Sequence, residues 1–312
     1  MKLHVLIDFS HIYYKYFFRL SSGYGNIKRL TAPIDWNGSV IEKDVSLIYY
    51  PMRDIEGIRK QLELNGHDVT MSICFDMPSQ RKEMDSVDAS KYKSNRVHRL
   101  SEEDHKNIQF VEKTLSKAGH NTYRIEGYEA DDIINHLANK YKQEYDYTII
   151  YTNDKDLFVN ICKNVGVMRY KTNTGEYSQV SIDNYESYLE PEFKAYIPYN
   201  LIGLYLSTVG DKSDNIKGIN KFGPKAFDKL VTNITEKYHP DYSKCGDYDE
   251  LLKIVDMCSD FLTDVQFKEL KESFTLVSNV QLLDDIAIPN KKSTEQLRND
   301  AYMPMKMISL IP

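Results

Sequence analysis

The chain has 312 residues, a formal charge of −6 and 41% hydrophobic residues, enough for a large core in one extended domain or in one domain with a smaller appendage. An acidic balance is not that of a protein whose whole surface binds phosphate, so any nucleic-acid contact has to come from local basic segments. Four widely spaced cysteines, Cys74, Cys162, Cys245 and Cys258, form no C-x-x-C pair and exclude a zinc-finger or disulfide scaffold, and no apolar run is long enough to span a bilayer.

The first residues run directly into an apolar strand pattern, Leu3 to Asp8, too short for a signal-peptide core; the chain reads as soluble and cytoplasmic. The region from Ser21 to Asp44, with the single tryptophan Trp36, carries no assignment. Asp44 to Leu64 places Val45, Ile48, Ile55, Ile58 and Leu62 at near-helical spacing, and Gly66 stands where that helix should stop. A strand follows at Val69 to Asp76. Between Phe75 and Glu103 the chain is charged and poor in aliphatic residues, with Arg81, Lys82, Lys91, Lys93, Arg96 and Arg99 interleaved with Tyr92 and His98. Such a run is usually a solvated helix face. Placed directly after Asp76, it reads instead as a mobile basic arch over a site, where cations track phosphates and an aromatic stacks on an unpaired base.

Helices at Glu103 to Ala118 and Glu129 to Tyr141 alternate with strands at Asn121 to Ile125 and Tyr147 to Thr152, and Val165 to Lys171 pairs with Glu176 to Val180 as a hairpin across Thr172-Asn-Thr-Gly175. Alternating β and α units imply a mainly parallel sheet covered on both faces, with ligands beyond the carboxyl ends of its strands. After Ser181 the pattern is mostly helical. One helix is predicted over Phe193 to Val209, and another at Lys225 to Ile234 opened by Pro224.

Against this frame the acids stand out: Asp8, Asp76, Glu129-Ala-Asp131-Asp132, Asp154-Lys-Asp156 and Asp211-Lys-Ser-Asp214 fall where strands end and helices begin. Two carboxylates about 4 Å apart repel by about 4 kcal/mol at an effective dielectric near 20, so gathering them is tolerable only if cations fill the site. Hard divalent cations prefer such oxygen ligands, and a pair of them serves in-line attack on phosphodiesters. Taken alone, the 129–132 acids read as ordinary charge at a helix start, and the 154–156 acids as a polar turn. The segment from Gly210 to Lys225 is more specific: two acids, a glycine-punctuated loop, then a helix start with Gly223 and Lys225, where backbone amides and lysines can hold a DNA phosphate.

Together these motifs resemble the structure-specific 5′ nuclease, or flap endonuclease, family, and within it the ribonuclease H type of T-even bacteriophages. The matching segments are Leu6-Ile-Asp-Phe-Ser, Phe75-Asp, Tyr92-Lys-Ser-Asn-Arg96, Tyr128-Glu-Ala-Asp-Asp, Asp154-Lys-Asp-Leu, and Gly210-Asp-Lys-Ser-Asp-Asn followed by Gly223-Pro-Lys. They run in family order over more than two thirds of the chain.

The resemblance implies an α/β, PIN-like core with a helical arch at about 77–105, a nuclease domain over 1–180, and a mostly helical domain over 181–312 whose helix–three-turn–helix loop at 210–230 grips duplex DNA. It implies two Mg²⁺, with Mn²⁺ as a substitute. One is held chiefly by Asp8, Asp76, Glu129 and Asp131, the second among Asp131, Asp132, Asp154, Asp156, Asp211 and Asp214, and a K⁺ sits at the 210–225 loop. Lys93 corresponds to the family's active-site lysine and Arg96 to its basic companion, acting beside Asp131 and Asp132. Arg81, Lys82 and Tyr92 would meet the single strand, and Lys217, Lys221, Gly223 and Lys225 the duplex.

Implied substrates are 5′ flaps, nicks, gaps and RNA–DNA hybrids, cut by a monomer during phage replication in the host cytoplasm, beside a single-strand-binding protein and a sliding clamp. Lys221 and Asn153 stand where relatives often have glycine, and Phe9 follows Asp8 as in the phage type. Two other readings compete: a catalytically silent binder of branched DNA and a PIN-type endoribonuclease. Acids facing phosphates argue against the first, the arch and the 210–225 loop against the second.

Overall fold

The computed structural model describes residues 1–22, 27–36, 39–79, 93–94, 100–172, 174–193, 197–198, 200–242 and 248–277. Its centre is a six-stranded sheet built from β1 (Lys2–Asp8), β4 (Asp68–Cys74), β5 (Asn121–Tyr123), β6 (Tyr147–Tyr151), β7 (Val165–Lys171) and β8 (Glu176–Val180), in the order β5-β4-β1-β6-β7-β8. All neighbours are parallel except β7 and β8, which form the expected hairpin. Apart from His4, whose ring nitrogen pairs with the Ser72 hydroxyl at 2.8 Å, the interior of β1 is apolar, and the strand is buried on both faces: Val5 and Ile7 point into one core, Leu6 into the other. A parallel strand needs both faces covered, and helices do this.

On one face lie α1 (Phe9–Ser22), α2 (Ser46–Leu64) and α3 (Glu102–Lys117), whose Ile12, Ile55 and Leu115 pack with Val5 and Ile73. Ser101 caps α3 by accepting the Asp104 N–H at 3.2 Å, and Asp104 returns the bond to the Ser101 N–H at 2.9 Å. On the other face lie α4 (Ala130–Tyr141), a 3₁₀ turn at Lys155–Asn160, α5 (Glu186–Phe193), α6 (Ile202–Val209), α7 (Pro224–Tyr238), α8 (Tyr248–Met257) and α9 (Asp264–Val277). Leu6, Ile133, Phe158, Leu204, Phe227 and Phe274 share one apolar cluster, so the core runs unbroken across residues 180–181.

Three features depart from the sequence reading. The helix predicted over Phe193 to Val209 is two helices, α5 ending at Phe193 and α6 starting at Ile202. Pro198 disfavours helical geometry in the residue before it, and Asn200 sits in the left-handed region at φ 72, which ends one helix direction and starts another. Residues 9–20, given no element from the sequence, form most of α1, and the unassigned stretch from Ser21 to Asp44 holds the last two residues of α1 and an antiparallel pair, β2 (Thr31–Trp36) and β3 (Ser39–Asp44). Asn37-Gly38 between those strands was the available hairpin signal.

The chain passes from β1 leftward to β4 and β5, then back across to β6 on the other side of β1. Connections therefore diverge at the carboxyl ends of β1 and β6, the place where open α/β sheets form a crevice. Among the described residues no helix is long and apolar enough to cross a membrane.

The loop after α6 closes on itself: Asp211 and Ile216 exchange backbone bonds at 2.8 and 2.7 Å, and Gly210 turns at φ 88. A Cβ at Gly210 would lie 2.5 Å from the Lys217 carbonyl oxygen. Gly210→Ala is expected to destabilise the protein by about 2–3 kcal/mol in urea unfolding, through both the backbone conformation and this clash; an unchanged midpoint would show that the turn is not constrained.

Candidate metal centre

Strand ends and helix starts bring the predicted acids together. Asp8, the last residue of β1, is held on both oxygens, Oδ2 accepting from the Thr152 hydroxyl at 2.9 Å and Oδ1 from the His11 N–H at 3.2 Å. Asp76 lies two residues beyond β4; its Oδ1 accepts from the Ala130 N–H at 2.8 Å, in the first turn of α4, and its other oxygen takes a short bond from the Ser10 hydroxyl. Glu129 is the residue before α4, and Asp132 Oδ2 accepts its N–H at 3.1 Å while the Asp132 N–H donates to Asp131 Oδ1 at 2.9 Å. Carboxylate oxygens of Glu129, Asp131 and Asp132 lie within 4.8 Å of one another, Asp132 being 2% exposed. Asp131 therefore shares one site with Glu129 and Asp132.

A second group forms from Asp156, Asp211 and Asp214, again within 4.8 Å. Asp154 caps the 3₁₀ turn by accepting the Asp156 N–H at 2.9 Å, and its own N–H donates to the Thr152 hydroxyl oxygen at 3.0 Å. Lys155 Nζ donates to Asp156 Oδ1 at 3.1 Å. Asp211 accepts the Ser213 N–H at 2.8 Å together with its hydroxyl.

Crowding shows in the acidities. Burial first, then the Asp76 charge, raises the Asp8 carboxyl to about 7, against the lowering effect of its bonds from Thr152 and His11. Asp154 is raised by burial and by Asp131 and Asp214, although the Asp156 N–H opposes this; Asp156 is raised well above the ordinary range by burial and by Asp154. Asp211 goes the other way: burial pushes it up, but the Ser213 hydroxyl and the Lys155 charge hold it down.

One cation of the chain already lies in the seam. Lys93 adopts φ 51, donates its N–H to the Asp214 carbonyl at 3.0 Å, and places Nζ 2.7 Å from Glu129 and 3.4 Å from Asp214. An ammonium bridging the two acid groups marks where positive charge is needed. An all-oxygen donor set, carboxyls pushed up in pKa by burial and mutual repulsion, and a bridging ammonium all fit hard divalent cations.

Other expected residues are spread around this centre. Lys217, Lys221 and Lys225 are exposed on the 210–225 segment, and Gly223 precedes Pro224, the first residue of α7. Lys221 itself takes the left-handed conformation, φ 57, so the turn survives the replacement of glycine. Arg81, Lys82, Tyr92 and Arg96 lie outside the described residues, as does most of the segment expected to be mobile. At its start the Met77 N–H bonds the Tyr128 carbonyl at 3.1 Å, and Ser94 accepts from Asn215 Nδ2 at 3.3 Å. Sequence reasoning missed the hydroxyls of Ser10 and Thr152; their signal was position alone, two residues from Asp8 and from Asp154.

A parallel sheet with acids converging at its switch point defines a carboxylate-rich, cation-binding α/β class. Residues 3–186 match the 5′-3′ exonuclease N-terminal, resolvase-like domain, so the chain belongs to the 5′-3′ exonuclease family. The 5′-3′ exonuclease of Buchnera aphidicola subsp. Schizaphis graminum is 32% identical over 184 residues, 59% of this chain and 58% of that protein. That of Aquifex aeolicus is 34% identical over 131 residues, 42% of this chain and 40% of that protein. The DNA polymerase I of Treponema pallidum is 31% identical over 140 residues, 45% of this chain and 13% of that protein. The chain thus spans less than two thirds of each of these relatives.

Solved structures share the fold. The bacteriophage T5 D15 flap endonuclease, in a pseudo-enzyme-product complex with DNA and metal ions, has a TM-score of 0.58 and 15% identity over 99% of this chain and 100% of that one. The T5 5′-exonuclease bound to zinc has a TM-score of 0.57, also at 15% identity, over 98% of this chain and 100% of that one.

The raised Asp8 carboxyl fixes the sign of a pH effect. Its folded form holds the proton up to about pH 7, whereas the unfolded form loses it near the ordinary 3.8, so its contribution to stability is intact below about pH 4 and lost as pH rises to about 7. In chelator, Asp8→Asn should therefore stabilise the protein by about 2 kcal/mol at pH 8 and by little at pH 4.5, with saturating Mn²⁺ reversing the order at pH 8. Urea unfolding at the two pH values checks this; an equal effect at both would remove Asp8 from the repulsive cluster.

Proposed function

We propose that this chain is a structure-specific 5′ nuclease, hydrolysing phosphodiester bonds at and near free 5′ ends of flapped, nicked or gapped DNA and of RNA–DNA hybrids, as exonuclease and flap endonuclease. The observation that carries this is the seam itself, where Lys93 joins Glu129 of one acid group to Asp214 of the other at the carboxyl edge of the sheet. The T5 enzyme that carries DNA and metal ions on the same fold supports the substrate class.

Two Mg²⁺, replaceable by Mn²⁺, fit the donors, one among Asp8, Asp76, Glu129 and Asp131 and one among Asp131, Asp132, Asp154, Asp156, Asp211 and Asp214; when bound they acidify the attacking water and neutralise charge on the departing oxygen. Lys93 adds positive charge beside the phosphate in the transition state, the preorganised electrostatic help that a water-poor site makes strong. Asp132 keeps Glu129 in place through the Glu129 N–H, so its contribution is positional as well as electrostatic. Arg96 acts as the basic companion of Lys93 at the reacting phosphate, and Arg81, Lys82 and Tyr92 take the 5′ single strand.

Lys217, Lys221 and Lys225, with Gly223 at the opening of α7, take duplex phosphates at a helix N-terminus. We assign a K⁺ to the same 210–225 loop, residues 1–180 to catalysis and 181–312 to duplex binding. The biological setting that fits is removal of RNA primers and 5′ flaps in the cytoplasm of a phage-infected host, by a monomer working beside a single-strand-binding protein and a sliding clamp.

A 5′-labelled flap, a nicked duplex and an RNA–DNA hybrid, each with Mg²⁺ and with chelator, test the reading: cleavage confined to Mg²⁺ is expected, and cleavage in chelator would overturn it. Asp131→Asn should abolish cleavage while leaving flap binding intact or tighter, since it removes a ligand and a charge that repels phosphate. Lys93→Ala should slow the single-turnover rate by about 100-fold with metal affinity not weakened; an unchanged rate would take Lys93 out of the reaction.

For the duplex grip, replacing Lys217, Lys221 and Lys225 by Ala should weaken binding to all duplex sequences alike and flatten its salt dependence by up to about 0.9 in log–log slope per lost contact. Titrations at several salt concentrations check this, and a sequence-dependent loss would count against the loop.

A further inference from the structure

The two acid groups are joined by one buried hydroxyl. Thr152 is the residue after β6, is 0% exposed, and continues the pairing with β7 through its N–H to the Met168 carbonyl at 3.2 Å. Its neighbours in the sheet, Ile7 and Tyr151, are paired across β1 and β6, so Asp8 and Thr152 leave the sheet side by side. The backbone N–H of Asp154 can only donate, which makes the Thr152 oxygen its acceptor at 3.0 Å and commits the single hydroxyl proton to Asp8 Oδ2 at 2.9 Å. Asp154 Oδ1 in turn accepts the Asp156 N–H at 2.9 Å. A directed chain thus runs from Asp156 through Asp154 and Thr152 to Asp8, across both groups of acids.

We propose that Thr152 is a positioning residue of the metal centre, its hydroxyl setting the placement of Asp8 against the Asp154 turn and so the spacing of the two cation sites. The inference rests on the reading of these acids as cation ligands. Ligands of hard cations are ordinarily oriented by such outer bonds, and losing one weakens metal binding by about 10- to 100-fold. Burial gives the bond its weight: with the hydroxyl gone, the Asp154 N–H and one face of the Asp8 carboxylate lose a partner where no exposed surface of Thr152 admits water in its stead. The Thr152 methyl offers the rival explanation, a β-branched side chain that merely fills the end of a strand.

Two substitutions separate these explanations on the full chain, with free Mn²⁺ measured by electron paramagnetic resonance as the readout and no substrate present. Thr152→Val keeps the shape and removes the hydroxyl, and Mn²⁺ affinity should fall about 10-fold or more. Thr152→Ser keeps the hydroxyl and removes the methyl, and its affinity should stay within about threefold of wild type, well short of that loss. Wild-type affinity in Thr152→Val overturns the inference while leaving the metal centre standing, and an equal loss in both variants overturns it in favour of packing. Absence of Mn²⁺ binding by the wild-type chain overturns the metal centre and this inference together. If Thr152→Val does not fold, Thr152→Ser decides: retained affinity supports the hydroxyl, and a 10-fold loss refutes it.

Discussion

Repulsion among carboxylates at one edge of the sheet is the constraint around which this molecule is organised. Asp8, Asp76, Asp131, Asp154 and Asp214 approach each other because β1, β4 and β6 run parallel and end at the same edge, with α4 and the loop after α6 brought up against them. Parallel strands cannot be joined by tight turns, so every return of the chain passes through a helix on a face of the sheet. The same topology that demands a double-sided core therefore also delivers strand ends, with their acids, to one crevice.

Such a cluster needs offsetting charge and donors. Several of these oxygens face an N–H or a hydroxyl: His11 and Thr152 for Asp8, Ala130 and Ser10 for Asp76, Ser213 for Asp211. The bonds from Thr152 and His11 lower the pKa of Asp8 but do not cancel burial, since it stays near 7. Lys93 and Lys155 add two ammonium groups, one in the Glu129–Asp214 seam and one against Asp156. Divalent cations held there would complete the balance and would tie the stability of the crevice to their binding.

The C-terminal helices are part of the core. Their Leu204, Phe227 and Phe274 share a core with Leu6 of β1 and Ile133 of α4, so the loop carrying Asp211 and Asp214 is anchored to the sheet by apolar packing. Gly210 and Gly218 permit this loop to cross itself, each lacking a Cβ where backbone atoms pass within 2.5 Å and 2.4 Å of where it would be. Side-chain positions in the second acid group thus depend on packing well removed from them.

The sequence by itself determined which residues are acids at strand ends, the parallel sheet with its closing hairpin, and most of the helices on its faces, because each is written locally: the apolar run of β1, the Thr172 to Gly175 turn, Gly66 at a helix stop and Pro224 at a helix start. It did not lead to the break within the expected helix over Phe193 to Val209, where Pro198 and the left-handed Asn200 outweigh an apolar spacing that reads as helical. Nor could it join Lys93 to both Glu129 and Asp214, or Thr152 to Asp8. Those partners lie far apart along the chain, and only the packing of helices on the two faces of one sheet brings their atoms within hydrogen-bond reach.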